Sequence, residues 1–209
     1  MTDQSNNRYP MPQSAPPLSL PHRGARDTPG GPSVPPGTGP LARQAHELAR
    51  RYELLERLGV PTVASEGFDE LARDMAVRAG FLYGFVNLFL EEQTFVGLHQ
   101  PPADSGYVIV GRTMSRDHGW CPEVMSRKKA LPLHDVHASP RFSGNAVVDA
   151  VGIRSYFGAP LIHDSGTVLG TVCVIDPEKR SLNEARRLRD IVIDAGGQVM
   201  EHIARTPVR

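Results

Sequence analysis

The chain has 209 residues with 23 basic and 23 acidic side chains, so its formal net charge is zero. That length supports one domain with a sizeable core, and the balanced charge disfavours nucleic acid as the main partner, because a polyanion binder carries a basic excess. No run of about 18 apolar residues is present, so no membrane-spanning helix is expected, and the polar start MTDQSNNRYP does not read as a signal peptide.

Residues 1–40 hold ten of the 19 prolines and five glycines. Few large apolar residues accompany them, too few to offset the entropy of ordering, so this stretch is read as a disordered tail. Pro16-Pro17-Leu18 is its one candidate docking element, a passive tail being the alternative. From Leu41 the pattern changes. Leu41, Ala45, Leu48, Tyr52 and Leu55 recur at steps of four and three, which predicts a helix over 41–58 with a coiled-coil-like seam, ended by Gly59 and Pro61. A second helix is expected over 66–79, with Phe68, Leu71, Ala72, Met75 and Ala79 on one face and Gly80 as its C-cap. Residues 83–90 and 94–98 read as a hairpin, 108–110 as a third strand, 118–127 as a short helix and 131–133 as a fourth strand.

The strongest strand pair lies later. Residues 155–162 and 168–175 flank His163-Asp164-Ser165-Gly166-Thr167, whose middle residues suit a turn. The run LGTVCVI at 169–175 is apolar nearly throughout, as a strand covered on both faces requires. Ser181 and Glu184 have the spacing of a capping box and open a last helix to about Ala204. Its stripe is Ala185, Leu188, Val192, Ala195 and Val199, with Ile191 and Ile203 beside it.

Gly152-Ile153-Arg154-Ser155-Tyr156-Phe157-Gly158-Ala159-Pro160-Leu161, then Gly166, then Leu169-Gly170-Thr171-Val172-Cys173-Val174-Ile175-Asp176 closely resembles the C-terminal half of a GAF domain. Leu133-His134-Asp135-Val136 with Ser139-Pro140-Arg141-Phe142 and Asn145 resembles that family's preceding segment. The resemblance implies an α+β fold: a central antiparallel sheet, helices on one face, and the loop-rich segment 115–150 forming a pocket on the other. It implies a GAF domain over 59–206 behind an N-terminal amphipathic helix, acting as a small-molecule sensor that dimerises through its terminal helices. A scaffold shared by many functions does not name the ligand.

Each ligand class needs its own residues. The asparagine-lysine motif of cyclic-nucleotide members is missing. Cys121 is followed by Pro122 instead of the histidine usual at bilin sites, and no spacing singles out an axial histidine, so the cofactor is unknown and haem and bilin are disfavoured. No metal site is expected, since Cys121 and Cys173 stand 52 positions apart. Free methionine-(R)-sulfoxide reductases share the implied fold and need two thiols. The second cysteine expected within 142–151 is absent and Cys173 reads as an inert buried thiol, so a two-cysteine relay looks broken. Cys121 alone is then a filler beneath a loop or a sensor thiol.

No other catalytic constellation is present, and no catalytic residue is assigned. Pocket candidates are Phe85, Trp120, Cys121, Phe142, Val148, Tyr156 and Cys173, apolar or aromatic residues that the implied topology points between sheet and loops. Candidate polar anchors are Asp135, His137 and Arg141. Asp135 and Asp176 read as strand-end carboxylates that accept N–H bonds from the next turn, and Arg141 as a partner for Asp135 or a ligand anchor. The expected protein is a cytoplasmic, bacterial-type sensory module, homodimeric, signalling to an unknown protein partner. A thiol redox enzyme or sensor built on Cys121 is the alternative.

Overall fold

A computed structural model describes residues 39–205; the expected tail, apart from its last residues, lies outside them. Helix α1 (Pro40–Arg57) and helix α2 (Glu66–Ala79) precede strands β1 (Tyr83–Phe89), β2 (Gln93–His99) and β3 (Thr113–Met114). Helix α3 (Cys121–Arg127), strand β4 (Leu131–Leu133), and helices α4 (Pro140–Ser143) and α5 (Ala146–Val151) follow. Strands β5 (Ser155–Ile162) and β6 (Val168–Asp176) then lead to helix α6 (Ala185–Arg205). The six strands form one antiparallel sheet in the order β3-β2-β1-β6-β5-β4. The α+β class and the helix-covered sheet are as expected.

Local chemistry explains the boundaries. Ser65 caps α2 by accepting from Phe68 N–H, and Gly80 ends it in the left-handed region at φ 71°. The expected capping box at Ser181 and Glu184 forms, around a 3-10 turn at Leu182–Glu184. All nine residues of β6 are buried, as a central strand with both faces covered requires.

The sheet separates two cores. On one face α1, α2 and α6 bury Leu55, Phe68, Met75, Leu188, Val192 and Val199 against Val86, Leu88, Phe157 and Val172. Arg51 pins α1 there, donating from Nε to Val168 O (2.8 Å) and from Nη1 to Phe89 O (2.6 Å). On the other face α3, α5 and the loops around them cover Tyr83, Phe85, Phe95, Tyr156 and Ile175, with Leu131 and Leu133 of the edge strand β4 in the same core.

Three expectations change. Residues 108–110 are not a strand; the edge strand is β3, paired with Gln93 and Thr94. The Gln100 side chain accepts from Val110 N–H and donates to Val110 O, and Val108 O accepts from Tyr83 Oη, so side chains satisfy backbone groups that a ladder would have used. The helix expected from 118 starts at Cys121, because Gly119 stands at φ 72° and Pro122 sits in the first turn. The terminal stripes also divide differently. α6 buries its stripe on its own sheet, whereas α1 buries Leu54 and Leu55 but leaves Leu41 and Ala45 exposed and Leu48 half-buried.

Candidate functional site

Side chains alternate across a strand, and the pairing register lines up those on one face. On the loop side three rows cross β1, β6 and β5: Tyr83–Ile175–Tyr156, Phe85–Cys173–Gly158 and Asn87–Thr171–Pro160. The middle row ends on a glycine, and that gap shapes the site. A Cβ on Gly158 would stand 2.2 Å from Tyr156 Oη, so the Tyr156 ring lies along its own strand over Gly158. This puts the phenol oxygen 3.5 Å from Cys121 Sγ, which is 3.9 Å from Cys173 Sγ.

Above these rows is a cavity of about 340 Å³. Its floor is Phe85, Tyr156, Cys173 and Ile175; its walls come from Trp120 and Cys121 at the start of α3 and from α5. Ala146 and Ala150 line it and are exposed, so its mouth lies at α5. Hydrogen bonds hold the covering layer in place. Asn145 accepts from Gly119 N–H (3.1 Å) and from Val147 N–H (3.1 Å), and donates to Gly119 O (2.7 Å). Trp120 donates to Phe142 O (3.2 Å), and its ring stands 5.2 Å from that of Tyr156. Gln93 donates to Ser115 O (2.8 Å) and His118 O (2.7 Å), tying the 115–118 loop to the sheet.

The polar groups of the floor are few. Asn87, Gln93 and Thr171 are fully buried, Asn87 and Thr171 beside the Cys121 sulfur, and Asn87 Nδ2 donates to Gln93 Oε1 (3.0 Å). Burial pushes the Tyr156 phenol well up, so it remains a donor. The two thiols behave as a pair. Hydrogen bonding from Cys173 pulls Cys121 below the usual thiol range against the cost of burial, with smaller contributions from Thr171, Tyr156 and Asn87. The same contact and burial push Cys173 well up. The pair therefore titrates as a unit, sharing one proton between the two sulfurs.

The structure places Phe85, Trp120, Cys121, Tyr156 and Cys173 on the cavity surface. Phe142 and Val148 pack in the loop-side core without lining it. None of the three proposed polar anchors lines it either. Asp135 caps the turn at His137 by accepting from its N–H (3.0 Å) and pairs with Arg154 (3.0 Å). Arg141 pairs with Glu123 (2.6 Å), so the Arg141–Asp135 pair is corrected, and His137 is exposed. Cys173, read as a buried thiol, is buried and is the thiol in contact with Cys121. Sequence reasoning missed Phe95, Met114, Val147 and Ile175. Ile175 was within reach of the alternation past Cys173. The α5 wall carried an N-cap signal at Asn145 and a C-cap at Gly152. Among the described residues no Arg or Lys lines the cavity, so no guanidinium or ammonium meets tetrapyrrole propionates or an amino-acid carboxylate there; His118 and Thr113 are further polar side chains of the wall. Among the described residues no group of three or more His, Cys, Asp and Glu could hold a metal, and no helix is long and apolar enough to cross a membrane.

The sequence matches the GAF domain family over residues 41–199. Among solved structures, the fold is similar to the GAF domain of a phosphoenolpyruvate-protein phosphotransferase from Acinetobacter, at 14% identity and a TM-score of 0.51, covering 78% of this chain and 93% of that one. It is also similar to free methionine-R-sulfoxide reductase from Neisseria meningitidis, at 14% identity and a TM-score of 0.49, covering 78% and 92%. A third is the blue-light absorbing form of the PixJ GAF domain from Thermosynechococcus elongatus, at 12% identity and a TM-score of 0.46, covering 75% and 88%. No curated protein matches the sequence.

Proposed function

The chain belongs to the GAF domain family, and on that footing we propose that it is a sensory and regulatory module whose loop-side cavity binds a small, largely apolar molecule and whose response passes to another protein through the helical layer. The cavity carries this reading. At about 340 Å³ it lies at the lower end of the roughly 300–1,000 Å³ usual for ligand sites. Aromatic and aliphatic side chains form most of its wall, with the Tyr156 phenol, the two thiols, the Thr113 hydroxyl and the His118 imidazole as its polar points. The ligand is therefore flat or compact, mostly apolar, and holds a few hydrogen-bonding groups. Free buried cysteines suit a reducing compartment, which supports a cytoplasmic setting.

The test uses 2-naphthol, an apolar bicycle with one hydroxyl. It is expected to quench Trp120 fluorescence saturably and to raise the melting temperature, by about 2.7 kcal/mol of stabilisation at one hundred times its dissociation constant. Replacing Ala150 at the mouth with Phe should abolish both effects while the fold persists. Unchanged binding in Ala150→Phe, or no binding by the wild type, would overturn the cavity as a ligand site.

A thiol redox enzyme acting on free methionine sulfoxide is the second reading, and the contact between Cys121 and Cys173 favours it. A wall without Arg or Lys counts against it, since a free amino acid brings a carboxylate that a guanidinium or ammonium would hold.

The homodimer rests on α1. Leu41 is 81% exposed, and with Ala45 and Leu48 it continues the seam that Leu55 buries against the domain's own sheet. A second copy presenting the same stripe in parallel would cover it. Leu48→Glu should turn a dimer into a monomer in light scattering, because burying an unpaired carboxylate in that seam costs several kcal/mol. A wild type that scatters as a monomer at high concentration would remove the dimer from the reading.

A further inference from the structure

We propose that Cys121 and Cys173 are a reversible dithiol–disulfide site, oxidised by a small hydroperoxide that reaches the sulfurs through the cavity, and that the bond staples the covering layer to the sheet. Three observations carry this. The sulfurs are 3.9 Å apart, already in contact, and a disulfide needs them at about 2.05 Å. They belong to different layers: Cys173 to the central strand β6, and Cys121 to the first residue of the seven-residue α3. A short helix among loops can close the remaining distance where β6, hydrogen-bonded on both sides, cannot. Both sulfurs also line the cavity, so a reagent of a few atoms can meet them although neither is exposed to bulk solvent.

The surroundings are not those of inert filler. A thiol that only fills space sits among apolar atoms. Here Tyr156 Oη stands against Cys121, and the buried Asn87 side chain beside it leaves its Oδ1 without a partner. Cys121 is the attacking sulfur, since it stands on the covering layer with the Tyr156 Oη 3.5 Å away as a donor to its thiolate. It attacks one peroxide oxygen; an S–O bond forms, the O–O bond breaks, and the second oxygen leaves as an alcohol (or water) after taking up a proton. Cys121 is then a sulfenic acid. The Cys173 sulfur attacks it, the S–S bond forms, the S–O bond breaks, and the hydroxyl leaves as water with the Cys173 proton. Two thiols have lost two electrons and one peroxide has gained them. A small dithiol reverses the change by exchange.

Bond formation depends on no ligand; its effect on binding, a contraction of the cavity at Cys121, rests on the ligand reading above. The experiment treats the purified full-length chain with hydrogen peroxide and follows intact mass, a peptide map and 2-naphthol binding. The expected result is a mass lower by two hydrogens, a single cross-linked peptide pair holding Cys121 and Cys173, recovery with dithiothreitol, and several-fold weaker 2-naphthol binding in the oxidised chain. Cys173→Ser should stall at a Cys121 sulfenic acid that a 1,3-dione traps, and Cys121→Ser should show neither product. Two thiols still titratable after treatment that oxidises a free small thiol, or cross-links only between chains, would overturn the site. If the bond forms and 2-naphthol binds neither state, the dithiol site stands and the ligand reading fails. If 2-naphthol binds equally in both states, the stapling consequence fails.

Discussion

Gly170→Ala is expected to lose about 3 kcal/mol or more of stability, the upper end of what overpacking a core costs. Gly170 sits in β6 opposite Leu88 of β1 and Leu161 of β5. A Cβ there would meet Asn87 O at 1.8 Å, Asn87 C at 2.9 Å and Leu88 Cα at 3.0 Å. All three are backbone atoms, so no rotamer change relieves the overlap; two central strands must separate. For a chain of this size roughly 2–4 °C is lost per kcal/mol, so the melting temperature should fall by roughly 6–12 °C. Because Asn87 lies beside the Cys121 sulfur, the cavity floor should move as well and 2-naphthol binding should weaken. Gly197→Ala is the control: its Cβ meets nothing within 4 Å on α6, and it should stabilise the helix by about 0.5–1 kcal/mol. A Gly170→Ala chain that melts with the wild type would show that the two strands are not packed as described.

The contrast between these two glycines shows where sequence patterns stop. Helical and strand periodicity located α2, β4, β5 and β6 to within a residue, because each buries one face or both and the chain must place apolar side chains accordingly. Ser181 and Glu184 announced the start of α6 because a capping box is a local device. The misses are of another kind. Val108 to Val110 has strand composition, yet Gln100 and Tyr83 take its backbone groups, a competition that no window of sequence displays. Arg141 is near Asp135 in sequence and pairs with Glu123, because α3 turns that carboxylate toward it. The candidate site was legible residue by residue on the strands, where alternation points Phe85, Tyr156 and Cys173 to one face. The contact between Cys121 and Cys173 was not, since it depends on how a short helix docks 52 positions away. Gly170 reads only as part of a family-like pattern until Asn87 O is seen against it.

Asp176→Ala is expected to cost about 3–5 kcal/mol, the penalty for breaking a buried ion pair from one side. The carboxylate is 5% exposed and the Arg180 side chain 19%, so little solvent screens them. Asp176 Oδ2 accepts from Leu82 N–H (3.0 Å) and Arg180 Nη2 (2.9 Å), and Oδ1 accepts from Glu178 N–H (2.9 Å). Arg180 is held in turn by Gly80 O (2.7 Å) and by the face of the Phe81 ring, 4.3 Å from its centroid. One carboxylate thus joins the end of α2, the start of β1, the end of β6 and the turn into α6. Its removal would strand a guanidinium whose Nε is already without a partner, together with the Leu82 and Glu178 amides. Asp176→Asn keeps one acceptor oxygen and loses the charge, so it should cost clearly less. Asp176→Ala combined with Arg180→Met should cost less than the sum of the two single changes, because the second removes the stranded charge. The effect reaches the cavity: Ile175 and Tyr83, next to this junction, share a row with Tyr156, so a loosened junction should weaken 2-naphthol binding before the fold melts. Denaturant titration of the four chains measures the cycle. Additive losses, or an Asp176→Ala chain within about 1 kcal/mol of the wild type, would mean that the junction is held by its backbone and not by this carboxylate.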